Sequence, residues 1–194
     1  ILYRTNAQSR AMEDALRKRD IPYKIFGGLS FYQRKEIKDI LAYLRLVVND
    51  KDEESLKRII NYPSRGIGQA TIDKIVIAAR SYKVSLFEII TRAEELELKI
   101  NSGTLSKLSK FSRLIKRFQI ENEKLNAFGI TDLIIKNVGF VNELKKDATP
   151  EGVARIENVE ELLNGIRDFT EGQKEIVDAT GNLDEFLQDI ALAT

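Results

Sequence analysis

The residues best placed to do chemistry lie in the run Ile59-Ile60-Asn61-Tyr62-Pro63-Ser64-Arg65-Gly66-Ile67-Gly68-Gln69-Ala70-Thr71-Ile72-Asp73-Lys74-Ile75. The chemistry they suit is capture of a phosphate by main-chain amides. Gly66 and Gly68 can take dihedrals closed to other residues, and neither carries a Cβ to hold a phosphate off. Ile67 between them is expected to point inward and tie together the helices on either side. The first amides of the second helix have no intrahelical acceptor, so they can donate to an anion, assisted by the helix dipole. Arg65, Gln69, Thr71 and Lys74 complete the candidate set of Arg65, Gly66, Ile67, Gly68, Gln69, Thr71 and Lys74. A grip of this kind falls on a sugar-phosphate backbone, which predicts sequence-independent, salt-sensitive binding. The bland alternative is a glycine-rich connector between two core helices.

Charge supports the first reading. Net charge is only +1, yet Lys57 to Lys83 holds six basic residues and one acid, whereas Glu151 to Thr194 holds eleven acids and three bases. A basic centre on a neutral body suggests a polyanion-binding face, against the alternative of ordinary solvated helix faces. Catalytic readings lack parts. The chain has no Cys and no His, so disulfides, Cys/His zinc sites, thiol nucleophiles and imidazole bases are excluded within it. No Gly-x-x-x-x-Gly-Lys-Ser/Thr phosphate loop is present. The acids read as solvated faces, and no metal or cofactor is expected in this chain. Hydrophobic residues make up 43% and charged residues 31%, a foldable balance. No apolar run reaches the length of a bilayer span, and the start lacks a signal-peptide pattern, so no membrane is expected as partner. The absence of cysteine suits the cytosol. Met12 is the sole methionine and Ile1 opens on an apolar run, which reads as a segment cut from a longer protein.

These candidates need elements to hold them. The expected fold is mostly α, preceded by a small β-α-β-α piece of a parallel α/β domain. Ile1-Leu2-Tyr3 and Tyr23-Lys24-Ile25-Phe26 read as strands, the second closed by Gly27-Gly28. Between them Met12, Ala15 and Leu16 share a helical face after a cap at Asn6 or Ser9. Ile37, Ile40, Leu41, Leu44, Val47 and Val48 mark the clearest helix. Asn49-Asp50-Lys51-Asp52 is the expected boundary, giving a partial α/β domain over 1–50 and a helical domain over 51–194. Helices are expected around Leu56–Ile60, Ile72–Ala79, from Ser85 (a capping box), over Leu105–Phe118, from Thr131 to near Gly139, from Pro150 through Phe169, and from Asn182. Glu171 to Gly181 reads as a loop.

The run around Gly66-Ile67-Gly68 resembles the helix-hairpin-helix motif of DNA-binding proteins, here over 53–80. A helix-hairpin-helix glycosylase is a poor fit, because Asp73 and Lys74 fall too early to be catalytic. Two further segments carry a wider resemblance. Leu2-Tyr3-Arg4-Thr5-Asn6-Ala7-Gln8-Ser9-Arg10, with Pro22-Tyr23 and Gly27 through Asp39, is similar to the second motor domain (2A, RecA-like) of the UvrD, PcrA and Rep helicases of superfamily 1. Arg65-Gly66-Ile67-Gly68 and Arg155-Ile156-Glu157-Asn158-Val159-Glu160-Glu161-Leu162 resemble the domain inserted there, called 2B. The resemblance is tight over 1–75 and 153–169 and loose between about 83 and 150.

The resemblance implies a DNA-binding accessory region of an ATP-dependent 3′ to 5′ DNA helicase. Its Gly-Ile-Gly hairpin would contact duplex DNA at the fork, and rotation of the domain would regulate unwinding. Phe31, Arg34, Glu36, Lys38 and Asp39 would lie at the 2A–2B junction near the single-strand track, or would simply anchor that junction; Phe31 and Arg34 therefore join the DNA-binding set. Arg4 and Arg10 would support the motor's nucleotide or DNA face, or serve as salt-bridge partners. ATP and Mg2+ would act in the parent enzyme, on groups that this chain lacks. The implied partners are a single-strand/duplex junction, the remaining helicase domains and repair proteins, in the bacterial cytoplasm at the nucleoid. The rival reading is a protein-interaction or autoinhibitory module without strong DNA binding of its own.

Overall fold

The structure is a computed structural model of the chain, and it describes residues 8–17, 19–25, 28–173 and 180–191. The chain divides into two compact units, one from Ile1–Leu41 with Leu125–Thr194 and the other Ala42–Lys124. Helix α2 (Lys35–Val48) begins in the first and ends in the second.

The Ala42–Lys124 unit is built on four further helices: α3 (Glu53–Ile59), α4 (Gln69–Tyr82), α5 (Leu86–Thr91) and α6 (Ser102–Asn122). Three of them start on a side-chain cap. The Asp52 carboxylate accepts from the Ser55 amide, the Ser85 hydroxyl from the Glu88 amide and the Asn101 carbonyl oxygen from the Thr104 amide, each meeting an amide the helix cannot satisfy itself. Helix α4 ends where Lys83 turns left-handed at φ 56°. Short α5 is buried along Leu86, Phe87, Ile89 and Ile90, and packs against α3, α4 and α6. Leu108, Phe111, Ile115 and Phe118 of α6 recur at helical spacing and are all buried, as their pattern predicts. Each such side chain stabilises the unit by roughly 1.5–3 kcal/mol through lost apolar exposure.

The other unit gathers α1 (Ser9–Arg17), a short 3-10 turn (Phe31–Gln33), the start of α2, α7 (Ala127–Val138), α8 (Phe140–Leu144), α9 (Pro150–Gln173) and α10 (Leu183–Ala191). Helix α9 packs against α1, α7 and α8. Gly165 lets α1 come close, since a Cβ there would lie 2.5 Å from Arg10 Nη1. The Asp147 carboxyl sits below the usual carboxylate range because the Thr149 hydroxyl and amide both donate to it, and this loop leads into α9.

Several expectations shift. No strand occurs among the described residues. Ile1-Leu2-Tyr3 and Phe26-Gly27 lie outside them, and residues 21–25 run without regular structure, nearly all exposed. A strand exists only through ladder hydrogen bonds, and the Ile21 amide instead donates back to the Leu16 carbonyl at 2.9 Å, a turn closing α1. Helix α1 buries Ser9, Arg10 and Glu13 rather than Met12, Ala15 and Leu16. Its interior contacts are polar. The Glu13 carboxylate accepts from the Phe31 amide at 3.0 Å and from the Ser30 and Tyr23 hydroxyls. Arg10 pairs with Glu161 at 2.8 Å and Asp14 at 3.0 Å. Burial pulls the Arg10 guanidinium pKa down, but the hydrogen bond and charge of Glu161, with Asp14, outweigh burial and hold it above its ordinary value. The salt-bridge alternative for Arg10 is what is seen; Arg4 lies outside the described residues.

Helix α7 starts at Ala127 on an Asn126 cap, not at Thr131, and ends as expected on Gly139, left-handed at φ 72°. In α9 the buried row is Val159, Leu162 and Ile166, with Leu163 and Ile156 only half-buried. That helix runs to Gln173, into the expected loop. In α2, Val48 is exposed, ending the apolar face one residue early.

Candidate nucleic-acid interface

Helices α3 and α4 are joined by residues 60–68, which fold around Asn61. Its side-chain oxygen accepts the amides of Arg65 and Ile67, both at 3.0 Å, and so curls the chain into a tight bend. Gly66 takes φ +67°, a left-handed conformation that other residues adopt at a cost. Ile67 is 1% exposed and anchors the bend in the core, as its position between the glycines predicts. Gly68 caps α4 at φ −82° and ψ 166°, an extended conformation open to any residue, with nothing within 4 Å of a Cβ added there. Its value is open space rather than unusual dihedrals.

Gly68 supplies no side-chain cap, and the first intrahelical acceptor is its own carbonyl, reached by the Thr71 amide at 3.0 Å. The leading N–H groups therefore remain for an outside acceptor. Gly66, Gly68 and Gln69 are exposed and Thr71 is half-buried. The Gln69 side chain donates to Asp73 at 2.8 Å, a bond within α4. Lys74 is exposed, and its Nζ donates to the Lys99 carbonyl at 2.6 Å.

Arg65 does a different job from the one its position suggests. Its Nη1 donates to the carbonyls of Ile59 (2.9 Å) and Pro63 (3.2 Å), its Nη2 donates to the Tyr43 hydroxyl, and that hydroxyl donates to the Tyr62 carbonyl. The guanidinium also lies 5.2 Å from the Phe111 ring centroid and 5.9 Å from that of Tyr43. It is thus turned inward, a strut that gathers the carbonyls of Ile59 and Pro63 across the turn after α3.

Phe31 and Arg34 belong to the other unit and are buried there. Phe31 is 0% exposed. Arg34 donates to Asn158 Oδ1 and to Ser9 Oγ, both at 2.8 Å, while Asn158 Nδ2 donates to Glu36 Oε1 at 2.7 Å. In this arrangement neither side chain is open to a ligand, and both hold the α1, α2 and α9 segments of that unit together.

Sequence reasoning missed Asn61, Tyr43 and Lys107. Asn61 had a local signal, an amide side chain four residues before Arg65 and next to a Pro-Ser turn. Tyr43 lies three residues past Ile40 on the α2 face. Lys107 had none, being 41 residues from the glycine it serves: its Nζ donates to the Gly66 carbonyl at 3.2 Å and would lie 2.7 Å from a Cβ added at Gly66. A Gly66→Val variant is therefore expected to be destabilised by about 1–3 kcal/mol, from the strained dihedral and the displaced lysine. Gly68→Val should cost less, about 0.5–1 kcal/mol, because Val is a poorer N-cap than Gly, and urea titration measures both variants.

A helical module with an exposed glycine bend ahead of an uncapped helix defines a class that the comparisons make specific. The chain belongs to the UvrD-like helicase C-terminal domain family, whose model matches residues 1–194. It is 38% identical over 169 residues to DNA helicase II of Haemophilus influenzae, an alignment covering 87% of this chain and 23% of that protein. It is 38% identical over 173 residues to the ATP-dependent DNA helicase PcrA of Staphylococcus aureus, and 39% identical over 173 residues to PcrA of Staphylococcus epidermidis, covering 88% of this chain and 23% of each relative. The chain thus spans about a quarter of the length of these relatives.

Proposed function

We propose that the chain is the DNA-contacting accessory (2B) region, with part of the 2A motor domain, of an ATP-dependent 3′ to 5′ DNA helicase. It grips duplex backbone at the fork through the Gly66-Ile67-Gly68 bend. The observation that carries this reading is the bend itself: exposed glycines fixed by Asn61 in front of helix amides without a side-chain cap, with Lys107 on the Gly66 carbonyl and Lys74 exposed farther along α4. The relatives' printed names supply the helicase context.

The domain would act by rotating against the motor, closing on the duplex or blocking unwinding, a hinge mechanism. Its location would be the bacterial cytoplasm at the nucleoid, with repair proteins as further partners. Among the described residues no helix is long and apolar enough to cross a membrane.

ATP and Mg2+ would be used elsewhere in the parent enzyme. The sequence supports this placement, because it holds no Gly-x-x-x-x-Gly-Lys-Ser/Thr phosphate loop.

Fluorescence-anisotropy titration of duplex and forked DNA at low salt tests the reading. Binding should be weak, indifferent to sequence and steeply reduced by added salt, and Gly68→Val with Lys74→Glu should lower affinity at least tenfold without changing the far-UV spectrum. Absence of binding, or binding indifferent to salt, would leave the protein-interaction reading in its place.

A further inference from the structure

Helix α6 carries five cations, Lys107, Lys110, Arg113, Lys116 and Arg117, and its only acid is Glu121 near the end. The buried residues Leu108, Phe111, Ile115 and Phe118 occupy one side. At 100° per residue, Lys110, Arg113 and Arg117 fall on the opposite side, flanked by Lys107 and Lys116, and all five are exposed.

Among the described residues none of the five is in an ion pair. Glu121 pairs with Lys124 at 3.8 Å, and Arg113 donates to the Ser109 hydroxyl at 2.8 Å. Such a row has no internal compensation, in contrast to the Lys57–Glu53 and Arg92–Glu88 pairs of the same unit. Its near end is fixed, because Lys107 Nζ reaches the Gly66 carbonyl.

Given the phosphate reading of the bend, on which this step rests, we propose that the solvent face of α6 is a second duplex-backbone contact, running from the bend through Lys107 out to Arg117. Ten residues of helix make it about 15 Å long. At 3.4 Å of rise per phosphate, that is about four phosphates of one strand.

A nucleic acid suits this face better than a protein does. Between residues 106 and 117 the exposed side chains are Ser106 and the five cations, and the exposed apolar residue of α6, Ile120, stands alone past the end of the row, without the cluster of anchors that carries a protein interface. The more distant cations Arg80 and Lys83 do not serve the bend in this way. Arg80 lies about 16 Å along α4 from Gln69, and with Lys83 it lines a groove of about 560 Å³ shared with Lys51, Lys57, Glu53 and Glu88.

The test uses the full chain and a duplex longer than the α6 row, titrated across a salt series. The Lys110→Gln/Arg113→Gln/Arg117→Gln variant should keep the parent's helicity and urea midpoint, since these side chains are exposed. Its duplex affinity at low salt should fall about 100-fold, and its plot of log K against log salt should be shallower by about 2–3, one contact being worth about 0.9. A parent-like slope in this variant would overturn the proposal while leaving the bend reading intact. If the triple variant loses binding but Gly68→Val with Lys74→Glu does not, α6 is the site and the bend is not. If the parent chain binds no duplex at low salt, both fall.

Discussion

Arg65→Ala is expected to unfold the bend and to lower the stability of the chain by about 2–4 kcal/mol, seen as a lower urea midpoint. The side chain donates to two carbonyls at 3.2 Å or less and to the Tyr43 hydroxyl, and these acceptors are partly shielded from water. Each charge-assisted bond contributes about 1.5–3 kcal/mol, and removing the donor leaves the carbonyls without it. Arg65→Lys should recover only part of the loss, because an ammonium cannot span two acceptors and stack against Phe111 in the same pose. DNA affinity should fall in parallel with stability. The informative quantity is the salt slope at a temperature where the variant is still folded. If Arg65 positions the bend without touching phosphate, the slope keeps its parent value, and a slope shallower by about one unit would instead make it a direct contact.

Much of the helical part was legible because helices declare themselves locally. The α6 row and the caps at Ser85 and Asn182 all follow from spacing and residue type within one or two turns. Misreadings came where the buried face is not apolar. In α1 periodicity pointed to Met12 and Leu16, while the interior residues are Arg10 and Glu13, satisfied by Glu161 and by the Phe31 amide far along the chain. Hydrophobic periodicity cannot report a face that is buried through ion pairs. The expected strand at Tyr23 failed for a related reason, since a strand's stability lies in a partner that its own residues do not name.

The site was legible in its backbone and not in its side chains. Gly66 and Ile67 sit as their types predict, one left-handed and one in the core. Which cations stand at the bend could not be read from nearness in sequence. Arg65 is adjacent to the bend and turns inward, whereas Lys107 is 41 residues away and reaches it. A basic residue beside an open helix end and a core carbonyl can serve either one, and packing against Tyr43 and Phe111 decides the matter for Arg65.

The same distinction applies to Arg34, for which resemblance implied a place near single-stranded DNA. Arg34→Ala is expected to cost about 3 kcal/mol of stability. Its guanidinium is buried against Asn158 and Ser9, 5.3 Å from the Phe31 ring centroid, and Asn158 is held in turn by Glu36. Taking the arginine away leaves Asn158 Oδ1 without its donor in a place that water does not reach, and removes one end of a chain of bonds linking α1, α2 and α9. Asn158→Leu should cost a similar amount, because it takes one acceptor from the buried arginine and the amide donor from the Glu36 carboxylate. Urea unfolding followed by circular dichroism measures both, with the exposed Lys145→Ala as a reference expected within about 0.5 kcal/mol of the parent. The double variant separates an anchor from a DNA contact: if Arg34 and Asn158 act through each other, their losses are not additive. If Arg34 instead binds DNA directly, Arg34→Ala alone makes the salt slope of single-strand binding shallower, and Asn158→Leu leaves that slope where it was.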